Sequence, residues 1–444
     1  MLPLQAPQLA RSLAQSMPLF DRLRRVAHAC FRTRRRALLS VLVLLAAGLL
    51  TWHAVRLTRA HYAYARAEEA LTRYDFTAAR EQVKLAADLR PRKPDVWLLA
   101  AQAARRDGDT AQAKDHLRRY RALAGETPEG RLEESLQQAQ LGDIERDVYD
   151  LMAKADAGHP ATEQILEALA VGSVHVYQFD RAAFWLRYLL DQFPKNPIGR
   201  LIRAQMDDVL GKRDRAAAGC RALLADFPDN RKAKSLLAGL LYRAQQFEES
   251  ADLYEELRRQ QPDDLRALLG LARCRERMGQ ADDARQLVRE LEERFPENSE
   301  ALLECGRFAL SDGRVGDAER LLRRAVELAP NDHEVHYHLG LCLQRAGKGE
   351  EARYHFERFK QVEADLVRLD ALLKAVVNSP RDPAPRREAG MICLRNGQAA
   401  EGLRWLNGAL EVAPNDKETH AALAEYYLGQ GDLNESNFHR QRAR

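Results

Sequence analysis

The stretch LRALLGLARCRERMGQADDARQLVRELEERFPEN, residues 265–298, reads as two amphipathic helices followed by a stop. Leu268, Leu271, Ala272 and Arg275 fall at i, i+3, i+4 and i+7, one stripe of a 3.6-residue helix, and Gly279 ends that helix. Ala284, Val288 and Leu291 mark a second helix before Pro296. Proline cannot continue a helix and restricts the residue ahead of it, so it punctuates the unit.

The same unit recurs on a 34-residue interval. Small residues stand at Ala170, Ala204, Ala238, Ala272, Gly306 and Gly340, and twelve residues on at Ala182, Ala216, Ser250, Ala284, Ala318 and Ala352. Prolines keep the step at Pro160, Pro194, Pro228, Pro262, Pro296 and Pro330. With only 17 prolines in 444 residues, five successive hits at one spacing are not chance. Small side chains at two fixed places are what closely approaching paired helices require.

This pattern resembles the tetratricopeptide repeat. The residues that carry the likeness include Ala182, Leu186, Leu189 and Pro194; Ala318, Leu322, Ala325 and Pro330; and Gly340, Gly347, Ala352 and Phe356. Trp97 occupies the place of the family's tryptophan, which elsewhere is mostly Leu. The resemblance implies an all-α, right-handed superhelical solenoid whose first helices line a concave groove that binds peptide segments. Here it would be preceded by a single transmembrane helix.

Extending the interval places partly degenerate repeats over 60–162, with Leu136 and Val148 where small residues belong, and regular repeats over 163–366. Ala364 stands where the next proline is due. Phe356, Phe359, Val362, Leu366, Leu369 and Leu373 run on at helical spacing, so the second helix of that unit should extend to about 377. The segment 367–382 is the extended helix and connector, with NSPRDPAP (378–385) read as extended chain. Two further repeats fill 383–444.

Residues 37–55, ALLSVLVLLAAGLLTWHAV, hold no Asp, Glu, Lys or Arg and are bracketed by Arg34, Arg35, Arg36, Arg56 and Arg59. Such a run is long enough to cross the ~30 Å hydrocarbon layer. An uncleaved signal anchor is expected, because the basic region before it is too long for a cleaved signal peptide. Seven arginines lie within about 20 residues on the amino side and four on the other, which predicts a basic cytoplasmic tail (1–36) and repeats outside the cytoplasm. The arrangement resembles membrane-anchored bacterial tetratricopeptide proteins, which implies a bacterial cytoplasmic (inner) membrane. Residues 8–33 read either as a basic amphipathic helix on anionic lipid or as a tail whose charge only sets topology.

Composition agrees with a helical interaction protein and not with a nucleic-acid binder. The net charge of +4 conceals +9 in residues 1–59, so residues 60–444 carry −5. Six scattered cysteines with no Cys-x-x-Cys argue against structural zinc or a redox motif. DHEVHYHLG (332–340) crowds three histidines, but zinc peptidases place His at i and i+4 on one face, and i+4 from His333 is Tyr337. His336 takes a packing position, His338 another face, and Asn331 is a candidate cap for the helix opening at His333. GKGEEA (347–352) mimics a dinucleotide loop without a preceding strand. No catalytic, metal or cofactor residues are expected, and the chain is not read as an enzyme.

The candidate groove residues are Lys232, Tyr242, Arg243, Arg266, Arg273, Arg277, Arg307, Tyr337, His338 and Arg345. Such a basic, aromatic-sided face suits acidic peptides or a carboxylate terminus, because Arg grips carboxylates in bidentate fashion. The competing reading pairs these arginines with Glu276, Glu300, Glu304 and Glu334. The functional expectation is a membrane-anchored protein–protein interaction scaffold with protein or peptide partners. A non-catalytic subunit of a cell-envelope enzyme complex is the alternative, and RNA binding is disfavoured by charge.

Overall fold

The computed structural model describes residues 34–144 and 146–444, and among them it contains helices and no strands. The chain divides at Glu133/Glu134 into two compact units. That division falls before the change of rhythm at 162/163. The first unit contains α1 (Arg34–Thr72), α2 (Phe76–Leu89), α3 (Pro94–Asp107), α4 (Thr110–Ala124) and the first half of α5 (Pro128–Gln140). The second continues with α6 (Val148–Asp156), α7 (Thr162–His175), α8 (Phe179–Gln192), α9 (Pro197–Val209), α10 (Arg213–Asp226), α11 (Arg231–Arg243), α12 (Phe247–Gln260), α13 (Leu265–Arg277) and α14 (Ala281–Arg294). It ends with α15 (Ser299–Ser311), α16 (Val315–Leu328), α17 (His333–Arg345), α18 (Gly349–Asn378), α19 (Pro383–Arg395), α20 (Ala399–Val412), α21 (Lys417–Gly429) and α22 (Leu433–Arg442). The expected amphipathic segment 8–33 lies outside the described residues.

Seven hairpins are started by the same local chemistry. Two residues after the prolines from Pro194 to Pro330, Pro380 and Pro414 stands Asn196, Asn230, Asp264, Asn298, Asp332, Asp382 or Asp416, whose side chain accepts a backbone N–H from the first turn of the next helix, whereas after Pro160 the helix opens on Ala161 without a side-chain cap. Proline closes one helix and the Asn or Asp satisfies an orphan donor of the next. The cap of α17 is therefore Asp332 and not Asn331, whose oxygen instead accepts from Arg358 at 2.9 Å. The connector after α18 is also shorter than 378–385. Asp382 caps α19 and Pro383 serves as its first residue, where a missing N–H costs nothing.

The interval of small residues is a contact requirement. A Cβ on Gly306 would lie 2.6 Å from Leu322 Cγ, and one on Gly340 would lie 2.8 Å from the Phe356 ring. Ala170, Ala204, Ala238 and Ala272 are likewise buried, as are Ala182, Ala216, Ala284, Ala318 and Ala352 on the second helices. Ser250, at the same place, is buried because its hydroxyl donates to Ala238 O at 2.8 Å. The largest continuous core runs through α13–α17.

Helix α1 is one uninterrupted element of 39 residues. Its carboxyl half presents Ala60, Ala63, Ala67 and Leu71 to α2 and α3, whereas Leu38, Leu42, Leu45, Leu49 and Leu50 in its amino half are bare. It is long and apolar enough to cross a membrane. Helix α18 runs on for 30 residues, past Ala364.

Gly306→Val is expected to destabilise the second unit by about 1–3 kcal/mol, the usual cost of overpacking a tight contact. Urea unfolding followed by far-ultraviolet circular dichroism measures it; a wild-type midpoint would show that the two helices can separate freely there.

Candidate functional site

The first helices α11, α13, α15 and α17 carry the sequence-identified groove residues, and the structure sorts them into two sets. Lys232 and Arg266 sit in the first turns of α11 and α13, both exposed. Arg243, Arg277 and Arg345 end α11, α13 and α17. Arg243 bonds both oxygens of Asp208 at 2.8 and 2.7 Å, Arg277 lies over the Phe247 ring at 5.2 Å, and Arg345 donates to Leu310 O at 2.8 Å near the end of α15.

The middle positions form a network. Glu304, only 2 % exposed, accepts from Arg273 Nε at 3.1 Å and from Arg307 at 2.6 Å, and Arg307 reaches back to Glu276 at 3.0 Å. Glu300 stands 3.7 Å from Arg273. Burial alone would lower the Arg307 pKa, but its bonds to Glu276 and Glu304 outweigh that and hold it above the ordinary value. Half-buried His338 is pushed below the ordinary histidine value by burial and by the Arg307 charge. Tyr337 packs edgewise on His338 at 5.2 Å and lies 5.1 Å from Phe359, while Tyr242 meets Phe247 at 5.5 Å. Arg273, Arg307 and His338 therefore meet in one strip where positive and negative charge are matched, and Arg266 and Arg277 present charge with no carboxylate bonded to it among the described residues.

Sequence reasoning did not find the joint between distant parts of the second unit. Tyr177 stacks on Trp405 with centroids 3.5 Å apart and planes 3° from parallel. Fully buried Arg386 donates to Tyr177 O at 3.1 Å, to Pro380 O at 2.8 Å and to Asp382 O at 3.3 Å. Gly408 lies so close to Val176 that a Cβ would sit 2.3 Å from its carbonyl oxygen. The stack from α7 to α20 thus closes on itself. Two cavities flank the joint, about 340 Å³ beside Phe179, Arg203 and Val376 and about 460 Å³ beside Val209, Leu369 and Trp405. Gly211, Gly279, Gly313 and Gly347 hold the left-handed turn position on the 34-residue step, and Tyr177 (φ 58°) and Gln245 (φ 62°) hold it without being glycine, so that position alone did not mark the joint.

The histidine crowd resolves into packing. His336 Nε2 donates to Pro330 O at 2.9 Å, which leaves its Nδ1 as the acceptor for His355 Nδ1 at 2.8 Å. His420, His439 and Pro414 repeat the arrangement at 2.8 and 3.0 Å. His333 stacks on Phe359. The facing nitrogens are used on each other, and no three His, Cys, Asp or Glu side chains converge among the described residues. Cys220, Cys274, Cys305, Cys342 and Cys393 are buried and free, with burial pushing the Cys305 thiol up to about 12 and Cys220 to about 11.

Family models described as tetratricopeptide repeat match residues 208–264, 241–304 and 306–365. No curated protein matches the chain. Solved structures that match the chain include human IFIT1 dimer with m7Gppp-AAAA, 16% identical over 79% of this chain and 89% of that one, TM-score 0.42. A tetratricopeptide repeat protein from Parabacteroides merdae is 14% identical over 64% and 99%, TM-score 0.34, and MamA from Desulfovibrio magneticus is 16% identical over 36% and 91%, TM-score 0.31.

Gly408→Val should open the joint, raising hydrogen exchange across 174–180 and 383–408 while α13–α15 stay protected; unchanged exchange there would show the contact to be incidental. Burial, reinforced by the neighbouring histidine, lowers His355 and His439 to about 4, and burial lowers His175 to about 4. A depressed histidine pKa means that the unfolded chain binds more protons. Stability from these groups is therefore complete above about 6.5 and is lost as pH falls towards 4, which thermal melting across that window would record; exchanging His355 and His439 for Phe should flatten the slope.

Proposed function

The chain being a tetratricopeptide repeat protein, we propose that it is a membrane-anchored scaffold that holds partner proteins on the inner face of its second unit. The observation that carries this reading is α1, one half bare and apolar, the other half packed as the first helix of the first hairpin. An unpartnered apolar helix of that length is stable in lipid and costly in water. Anchor and first hairpin are then one continuous element, which ties the first unit to the bilayer without a flexible leash.

The ligand class follows from which charges remain open. Arg273 and Arg307 are bound to Glu304 and Glu276, and act as structure. Exposed Arg266 and Arg277, flanked by Lys232, Tyr242 and Tyr337, supply the donors and flat surfaces that an acidic peptide segment needs. His338, Arg243 and Arg345 shape the rim. The excess of arginine ahead of residue 37 supports a cytoplasmic amino terminus in a bacterial inner membrane, with the repeats outside the cytoplasm. Buried, protonated thiols are inert on that oxidising side.

Crosslinking in native membranes should capture a partner, and Arg266→Glu with Arg277→Glu should cut capture about tenfold or more, as loss of one charge-assisted contact does. Unchanged capture would remove the groove as the site. Protease added to spheroplasts should digest the repeats; protection would place them in the cytoplasm.

A further inference from the structure

The first hairpin sets the depth at which the first unit meets the bilayer. Helix α2 runs back along α1 and ends at Leu89, whose carbonyl accepts from Arg56 Nε at 2.9 Å. Arg56 is the next residue after the apolar run 37–55, about 1.5 Å further along the axis. The end of α2 and the linker Arg90-Pro91-Arg92-Lys93 therefore lie level with the boundary of the hydrocarbon. The linker is held in place by Trp97, whose Nε1 donates to Pro91 O at 2.8 Å, and by Lys93 N donating to Arg90 O at 3.1 Å.

This edge is rich in cations. Arg59 and Arg92 are exposed, Arg90 is half-buried, and Lys93 lies over the Tyr64 ring at 5.0 Å and 3.4 Å from Asp95. Arg56 sits 5.5 Å from the ring of Trp52, which is 58 % exposed at the end of the apolar run. Asp88 and Asp95 are the only carboxylates among residues 88–95, against three cations there and Arg56 and Arg59 on the adjoining turn of α1. Aromatic and cationic side chains at one depth are the arrangement of a membrane interface.

We propose that Arg56, Arg59, Arg90, Arg92 and Lys93 form a docking surface for the anionic phospholipid headgroups around α1, so that the first hairpin stands directly on the leaflet. The proposal rests on the reading of 37–55 as a membrane span, and it does not depend on which leaflet is involved. The headgroup phosphates would bridge the helix and the linker, fixing the tilt of the hairpin as well as its depth.

The test uses the full chain in a Cys30→Ser background carrying Pro91→Cys labelled with bimane, reconstituted in vesicles of phosphatidylcholine alone or mixed equally with phosphatidylglycerol. Quenching by headgroup-nitroxide lipid should be stronger in the mixed vesicles. Replacing Arg59, Arg90 and Arg92 by Ser should remove more than about half of that gain, with helicity and carbonate-resistant flotation unchanged. Quenching that ignores lipid charge, or that survives the triple replacement, overturns the surface while leaving the anchor intact. Release of the chain by carbonate instead sinks the membrane reading and the surface with it.

Discussion

Everything in the second unit depends on how near a first helix can come to its second. At Gly306 and Gly340 the approach is so close that a single methyl would collide with Leu322 or Phe356, and at the neighbouring hairpins alanine is the largest residue buried in that place. Interiors at crystal-like density leave no slack for an extra carbon. Fixing that distance also fixes where the outward side chains of α11, α13, α15 and α17 fall, and hence which charges can meet across adjacent hairpins.

The polar chemistry of the inner face is the second consequence. A carboxylate as enclosed as Glu304 is tolerable only because two guanidiniums hold it, and their charge is matched in turn. The open positive charge of this face is narrower than the arginine count suggests, and it sits at helix ends and aromatic edges around a neutralised centre.

The hairpins, the small-residue positions and the long α18 could all be read in the chain, because each rests on local periodicity. The punctuating prolines were legible too, although their partnership with Asn or Asp two positions later became plain only when the capping bonds were seen. Pairings such as Arg243 with Asp208 or Arg386 with the Tyr177 carbonyl were not legible. They depend on the accumulated twist of several hairpins, and no single stretch of sequence encodes that. Even Tyr177, a non-glycine on a left-handed turn step, was no marker, because Gln245 holds the same step without joining anything distant.

A linear array of hairpins gains order one neighbour at a time and frays from either end. The stacked rings of Tyr177 and Trp405 turn part of this array into a circuit, joining segments more than two hundred residues apart. Such a loop has no free terminus at α7 or α20 from which melting can creep inward. Closing it joins rings far apart in the chain, so it carries a larger loop-closure cost than any contact between adjacent hairpins.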